Sequence, residues 1–167
     1  MSMQIFLPAL PAIQDAFAVS TGRAQMVLSV SLAAIAFSTL GYGPASDRFG
    51  RRPVIVVGLA IFFAGSVICA VAPSIEILIL GRVVQAVGAA AGMVLSRAII
   101  RDLYDRETAA KILAYMVTAL VLAPMVAPLI GGVLNDVSGW RSIFIFTGIA
   151  GLAVLALAYP QVPETLV

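Results

Sequence analysis

Gly43-Pro44-Ala45-Ser46-Asp47-Arg48-Phe49-Gly50-Arg51-Arg52 joins two apolar runs, 24–46 and 53–74, by a connection too short to hold a domain. Each run reaches the roughly 20 helical residues that cross a hydrocarbon core of about 30 Å. A turn this tight, with three arginines, one aspartate and a glycine able to reverse the chain, predicts a helical hairpin closed at a membrane surface. Outward from it come three more runs of spanning length, 75–96, 112–134 and 141–159. The opening stretch, 1–10, is apolar but too short to span, and Pro8 and Pro11 are expected to end it abruptly. It reads as the last turns of a first helix whose beginning is missing. The expected fold class is an all-α membrane protein, with 1–167 forming one transmembrane bundle.

Composition agrees, because a chain with 62% hydrophobic and 11% charged residues has too little polar surface to cover a water-soluble globule. The net charge of +2 does not point to nucleic acid, since the basic residues sit in short clusters between apolar runs. If every run spans once, Arg48, Arg51 and Arg52 fall on the same side as Arg97, Arg101, Arg106 and Lys111, which makes that side cytoplasmic. The connections around Asp15, Pro73 and Asp136 then face outward, and Trp140 and Tyr159 are expected to anchor at the interfaces. Ser20 or Thr21 is the expected N-cap of the second helix, and Asp136 or Ser138 that of the sixth. In the connection 97–111, Asp102 with Arg106 and Glu107 with Lys111 have i,i+4 spacing, which predicts a short interfacial helix. Asp102 is also within topological reach of Arg48, Arg51 or Arg52.

The inventory excludes several chemistries. There is no histidine and one cysteine, Cys69, so neither a metal centre nor a disulfide framework can be assembled. No span carries a charged pair, and with Lys111 as the only lysine there is no phosphate-binding Gly-Lys-Ser loop, so no catalytic residues and no enzyme activity are expected.

Three intramembrane features remain as candidates. Arg82 lies inside the run 75–96, where a permanent charge costs roughly 2.5–3.5 kcal/mol, so it should face the bundle interior or a hydrated cavity, with Gln85 one turn away. Gly88 to Gly92, with three alanines between, forms a smooth strip suited to close helix contact. Pro124 and Pro128 lie four residues apart on one face, followed by Gly131 and Gly132, a pattern that can kink a span and admit a near neighbour. Each has a plainer reading: a structural interhelical hydrogen bond for Arg82, packing for Gln85 and for the fifth helix, a basic anchor for the arginine turn.

Gly43 to Arg52 resembles the signature loop of the major facilitator superfamily. Arg82-Val83-Val84-Gln85-Ala86-Val87-Gly88 resembles that family's second motif, with Ala86 where glycine is common. Ala127-Pro128-Leu129-Ile130-Gly131-Gly132 resembles the antiporter motif of its exporters, with Ala127 where glycine is usual. Leu7-Pro8-Ala9-Leu10-Pro11, Arg97-Ala98-Ile99-Ile100-Arg101-Asp102, Gly139-Trp140-Arg141 and Pro163-Glu164-Thr165 are similar to the Bcr/CflA drug-resistance branch, although Thr39 stands where many members have glutamine.

The resemblance implies the N-terminal six-helix bundle of a twelve-helix transporter, its first helix truncated. It further implies proton-coupled efflux of bicyclomycin- or chloramphenicol-type cargo by alternating access. Its partners would be small amphiphilic compounds, protons, the lipid bilayer and the missing C-terminal half. The proton gradient would supply the energy without a cofactor, and the location would be a bacterial cytoplasmic (inner) membrane. Asp47 would engage a helix of the other half while Arg48, Arg51 and Arg52 bridge acids such as Asp102, forming with Gly43 and Gly50 a conformational latch. Arg82 and Gln85 would serve proton coupling and line the cavity, with Tyr115 and Met116 as further cargo contacts. Pro124, Pro128, Gly131 and Gly132 would favour exchange. An inactive or assembly-dependent half-transporter, and an importer of another small solute, remain as alternatives.

Overall fold

In the computed structural model, residues 4–161 are described, and all of the regular structure among them is helical. Met1 to Met3 and Pro163-Glu164-Thr165 lie outside the described residues. A 3-10 turn, Gln4–Ala9, leads into α1 (Leu10–Phe17), followed by α2 (Thr21–Phe49), α3 (Arg51–Ala70), α4 (Ile75–Leu103), α5 (Arg106–Ser138) and α6 (Arg141–Gln161). Five of these helices are long and apolar enough to cross a membrane.

Apart from α3, which ends at Ala70 and leaves 71–74 as a connection where the sequence reading had none, the helices are longer and the connections shorter than the sequence reading placed them. Pro11 does not end the opening segment; it lies in the first turn of α1, where backbone N–H groups have no intrahelical acceptor and proline costs little. Asp15 is therefore helical, and α1 stops at Phe17 with Ala18 left-handed at φ 49°. Ser20 occupies the N-cap position of α2 without a side-chain cap bond, and Thr21 instead donates to Gln14 Oε1 at 3.3 Å. No separate interfacial helix forms in 97–111: α4 runs on to Leu103, and Asp105 caps α5 by accepting from the N–H groups of Glu107 (3.1 Å) and Thr108 (3.2 Å). Asp102 and Arg106 thus belong to different helices, whereas Glu107 and Lys111 do pair at 2.8 Å. Asp136 and Ser138 do not cap α6, because α5 continues through them to Gly139, whose φ of 75° ends the helix.

The central element is α4, which packs most extensively on α3 and also on α2; α6 covers α3, and the Gln4–Ala9 turn lies along α5. The α3–α4 seam is built on glycine. A methyl group at Gly65 would overlap the Gln85 backbone, and one at Gly88 would overlap the backbones of Gly58 and Phe62. Without a hydrophobic drive between helices in lipid, such backbone contact supplies the dispersion that holds spans together. One apolar core, around Phe6, Ile13, Val27, Leu78, Trp140 and Phe144, fills the end bearing α1. Trp140 is buried there against Phe17 and Phe144, with ring centroids 5.4 and 6.1 Å away, and so is not an interface anchor. A smaller core of Ile55, Ala91 and Leu95 lies toward the other end.

The charged residues sort by end. Arg51 contacts Asp102 and Arg52 contacts the Tyr159 carbonyl, so both arginine-rich connections and the last turns of α6 share one end. At the opposite end Arg23 pairs with Glu76 at 2.8 Å and Arg141 donates to the Ala72 carbonyl at 3.0 Å.

Candidate functional site

Seven residues, about 10 Å, beyond the start of α4, Arg82 is 3% exposed. Its Nη1 donates to Gln85 Oε1 at 2.6 Å, a contact available because residues three apart share a helix face. Gln85 is 1% exposed, and its Nε2 donates to Ser66 Oγ on α3 at 2.7 Å and reaches Thr147 Oγ1 on α6 at 3.4 Å. Both hydroxyls also donate to carbonyls of their own helices, Ser66 to Phe62 at 2.9 Å and Thr147 to Phe144 at 3.1 Å. The guanidinium carbon lies 5.1 Å from the Phe6 ring centroid and 6.0 Å from that of Phe144. The Gln4–Ala9 turn and α6 therefore meet the cation through aromatic rings, Gln85 meets it through an amide oxygen, and α3 is joined to it through Gln85. Ser66, Thr147, Phe6 and Phe144 were not recognisable as partners from the sequence.

Beside this cluster runs an apolar trough of about 410 Å³, lined by Ile5, Phe62, Gly88, Ala127, Phe146 and Val154 among others. Thr147 belongs to both, so the trough touches the polar chain at one point. Met116 is elsewhere: it accepts from the Ser96 hydroxyl at 3.8 Å and lines a separate crevice with Met93 and Arg97. Tyr115 is 76% exposed on α5.

The arginine turn is mostly helix. Gly43 through Phe49 complete α2, and the reversal falls on Gly50 alone, at φ 96° and ψ 152°, a conformation L side chains rarely adopt. Gly43 faces open space and is not a point of helix approach. Arg51 is the hub: its Nη1 lies 2.7 Å from Asp47 Oδ1, its Nε lies 3.1 Å from Asp102 Oδ2, and it also donates to Ser46 Oγ. Its side chain is only 16% exposed, against 64% for Asp47 and 34% for Asp102, so the cation is sheltered and its partners face solvent. Arg52 donates to the Tyr159 carbonyl at 3.0 Å and lies 5.0 Å from that ring, while Arg48 lies over Phe49. Asp105 at the neighbouring connection has its carboxyl held below the usual value by hydrogen bonding to Thr108, through side chain and backbone N–H.

In α5 both prolines are accommodated within one 33-residue helix. Pro124 is exposed and Pro128 half-buried. The two glycines differ in role. A methyl group at Gly131 would strike the Ile5 carbonyl, so this glycine admits the Gln4–Ala9 turn, whereas Gly132 has open space beside it.

Residues 1–166 match the family model of the Major Facilitator Superfamily. The chain belongs to that superfamily. Among curated relatives, the multidrug resistance protein D of Escherichia coli (strain K12) is 33% identical over 99% of this chain and 42% of its own length. The chloramphenicol resistance protein of Pseudomonas aeruginosa is 36% identical, covering 99% of this chain and 40% of that protein. The bicyclomycin resistance protein homolog of Haemophilus influenzae is 32% identical over 98% and 41%. A solved major facilitator protein, the proton:xylose symporter XylE, superposes with a TM-score of 0.73 at 20% identity, covering 98% of this chain and 42% of that one. The chain thus spans about two fifths of the length of these relatives. It has the all-helical architecture of an N-terminal major facilitator half and is a multi-pass membrane protein.

Proposed function

We propose that this bundle is the N-terminal half of a bacterial inner-membrane exporter that exchanges small amphiphilic drug-like compounds for protons. The observation carrying this reading is the buried cation of α4, tied through Gln85 to hydroxyls on α3 and α6. Guanidinium keeps its proton at ordinary pH, so Arg82 does not carry the transported proton. Its role is electrostatic: it favours the ionised form of a carboxylate brought near it in the complete transporter, and cargo entry or rocking of the halves weakens that interaction and allows proton uptake. Proton and cargo each contribute only their differential affinity for the two orientations of the bundles. The gradient then sets the direction of transport.

The Asp47–Arg51–Asp102 network would stabilise one orientation at the end where both arginine-rich connections meet, with Asp47 exposed to engage the second bundle. Pro128 and Gly131 would set the course of α5 past the Gln4–Ala9 turn. Drug-resistance relatives support export, and the apolar trough beside Thr147 supports handling of apolar groups near the polar chain. Cells making the complete protein should accumulate less of a fluorescent amphiphile, and collapsing the proton gradient should remove the difference. Equal accumulation with and without the gradient refutes proton coupling.

A second reading, a bundle that transports nothing by itself, is favoured by the wide apolar surface left exposed on α2 and α5, including Phe37, Leu40, Val121 and Leu129. Expressing the 167-residue chain alone tests this second reading: the chain by itself should give no efflux, and efflux from it would refute the reading.

A further inference from the structure

Most basic side chains of this bundle have a partner. Arg23 pairs with Glu76, Arg51 with Asp47 and Asp102, and Lys111 with Glu107. Arg52, Arg82 and Arg141 donate to Tyr159, Gln85 and Ala72, and Arg48 lies over Phe49. Arg101 and Arg106 have no ion pair or hydrogen bond among the described residues, and both line one crevice of about 380 Å³ between the end of α4 and the start of α5. Tyr104 sits between them, and Ala109, Ala110 and Leu113 complete the lining.

The surrounding acids are already engaged. Asp102 accepts from Arg51, Asp105 accepts from the N–H groups of Glu107 and Thr108, and Glu107 holds Lys111. The Asp105 cap also occupies N–H groups at the start of α5, so the guanidiniums, and not the helix terminus, give the crevice its charge.

Depth points to the ligand. The 29 residues of α4 extend about 43 Å against a hydrocarbon core of about 30 Å, which carries its last turns into the headgroup layer. Two guanidiniums and a phenol at headgroup depth, above an apolar lining, match a molecule with an anionic phosphodiester head and an acyl tail. We propose that the Arg101–Tyr104–Arg106 crevice binds the headgroup of an anionic phospholipid of the cytoplasmic leaflet.

The test is native mass spectrometry of the complete transporter in mild detergent, titrated with dioleoyl-phosphatidylglycerol or dioleoyl-phosphatidylcholine. Phosphatidylglycerol should bind more tightly than phosphatidylcholine. Arg101→Ala and Arg106→Ala should each weaken the tightest phosphatidylglycerol adduct about fivefold, and the double variant about thirtyfold. Arg23→Ala, at the opposite end of the bundle where it pairs with Glu76, should leave it within about twofold, as expected for a charge many Debye lengths from the ligand. Unchanged retention in the double variant overturns the proposal, and so does an equal loss in Arg23→Ala. Displacement by millimolar glycerol phosphate would assign the site to a soluble phosphate and overturn the lipid assignment. Unfolding temperatures in the same detergent show whether each variant is folded, and either single variant suffices for the comparison if the double is not.

Discussion

Replacing Gln85 by leucine removes the centre of the buried polar chain at nearly constant volume. Three contacts go: the 2.6 Å bond from Arg82, the 2.7 Å bond to Ser66 and the longer one to Thr147. The two hydroxyls still donate to the Phe62 and Phe144 carbonyls, so neither is left with an unpaired donor. The cost therefore falls on the cation, whose charged hydrogen bond contributes about 1.5–3 kcal/mol, with about 0.6 kcal/mol more for the neutral bond to Ser66 in a membrane interior. Gln85→Leu should destabilise the complete transporter by about 2–3.5 kcal/mol. Ser66→Ala, which removes only the neutral bond and a small hydroxyl, should cost under about 1 kcal/mol. Equilibrium unfolding in mixed micelles of increasing dodecyl sulfate fraction measures both. A Gln85→Leu value within about 0.5 kcal/mol of the parent, the range of an uninvolved surface position, would refute the reasoning. So would a Ser66→Ala cost equal to that of Gln85→Leu, because the cation would then not dominate.

Gly131→Ala should destabilise by about 1–3 kcal/mol, because its methyl meets the Ile5 backbone, while Gly132→Ala, facing open space, should be neutral or slightly stabilising; thermal aggregation of the two variants compares them directly. A double-mutant cycle on Arg51→Ala and Asp102→Ala should give a coupling of about 0.2–1 kcal/mol, reduced by salt, and a value of zero would remove this pair from the proposed latch. The Asp105 carboxyl is held below the ordinary value of about 3.9, so its cap stabilises the start of α5 above that pH and is lost as pH falls through the lowered folded value. Hydrogen exchange of the 106–110 amides should accelerate, relative to the intrinsic rate, only in that acidic window, and Asp105→Asn should flatten the response.

Helix number and the gathering of both arginine-rich connections at one end were legible because they follow from run length and from the placement of arginines, both properties of sequence alone. Boundaries were less so. Ile99, Ile100 and Leu103 continue α4 past Arg97, and the helix start that was legible in principle, Asp105 followed by Thr108, was obscured by the i,i+4 charge pairs around it. The Arg82–Gln85 contact could be anticipated from its spacing of three. Its extension to Ser66 and Thr147 could not, since a serine or threonine in an apolar run usually bonds its own helix, as both also do here. The α3–α4 seam did leave a trace: Gly58 and Gly65 on one helix, and Gly81 and Gly88 on the other, are each seven residues apart, the spacing of a single packing face. The Gly88–Gly92 strip drew notice instead, and only Gly88 of that pair meets a neighbour.

The measurement closest to the central claim is cargo-driven proton release by the purified complete transporter, followed with a pH-sensitive dye in weakly buffered detergent. Adding an amphiphilic cargo should release protons from the parent protein. Arg82→Lys, which keeps the charge but not the planar fork that meets Gln85 and the two phenylalanine rings, should bind cargo yet release few or none. Equal release by the two proteins would show that the buried guanidinium plays no part in coupling.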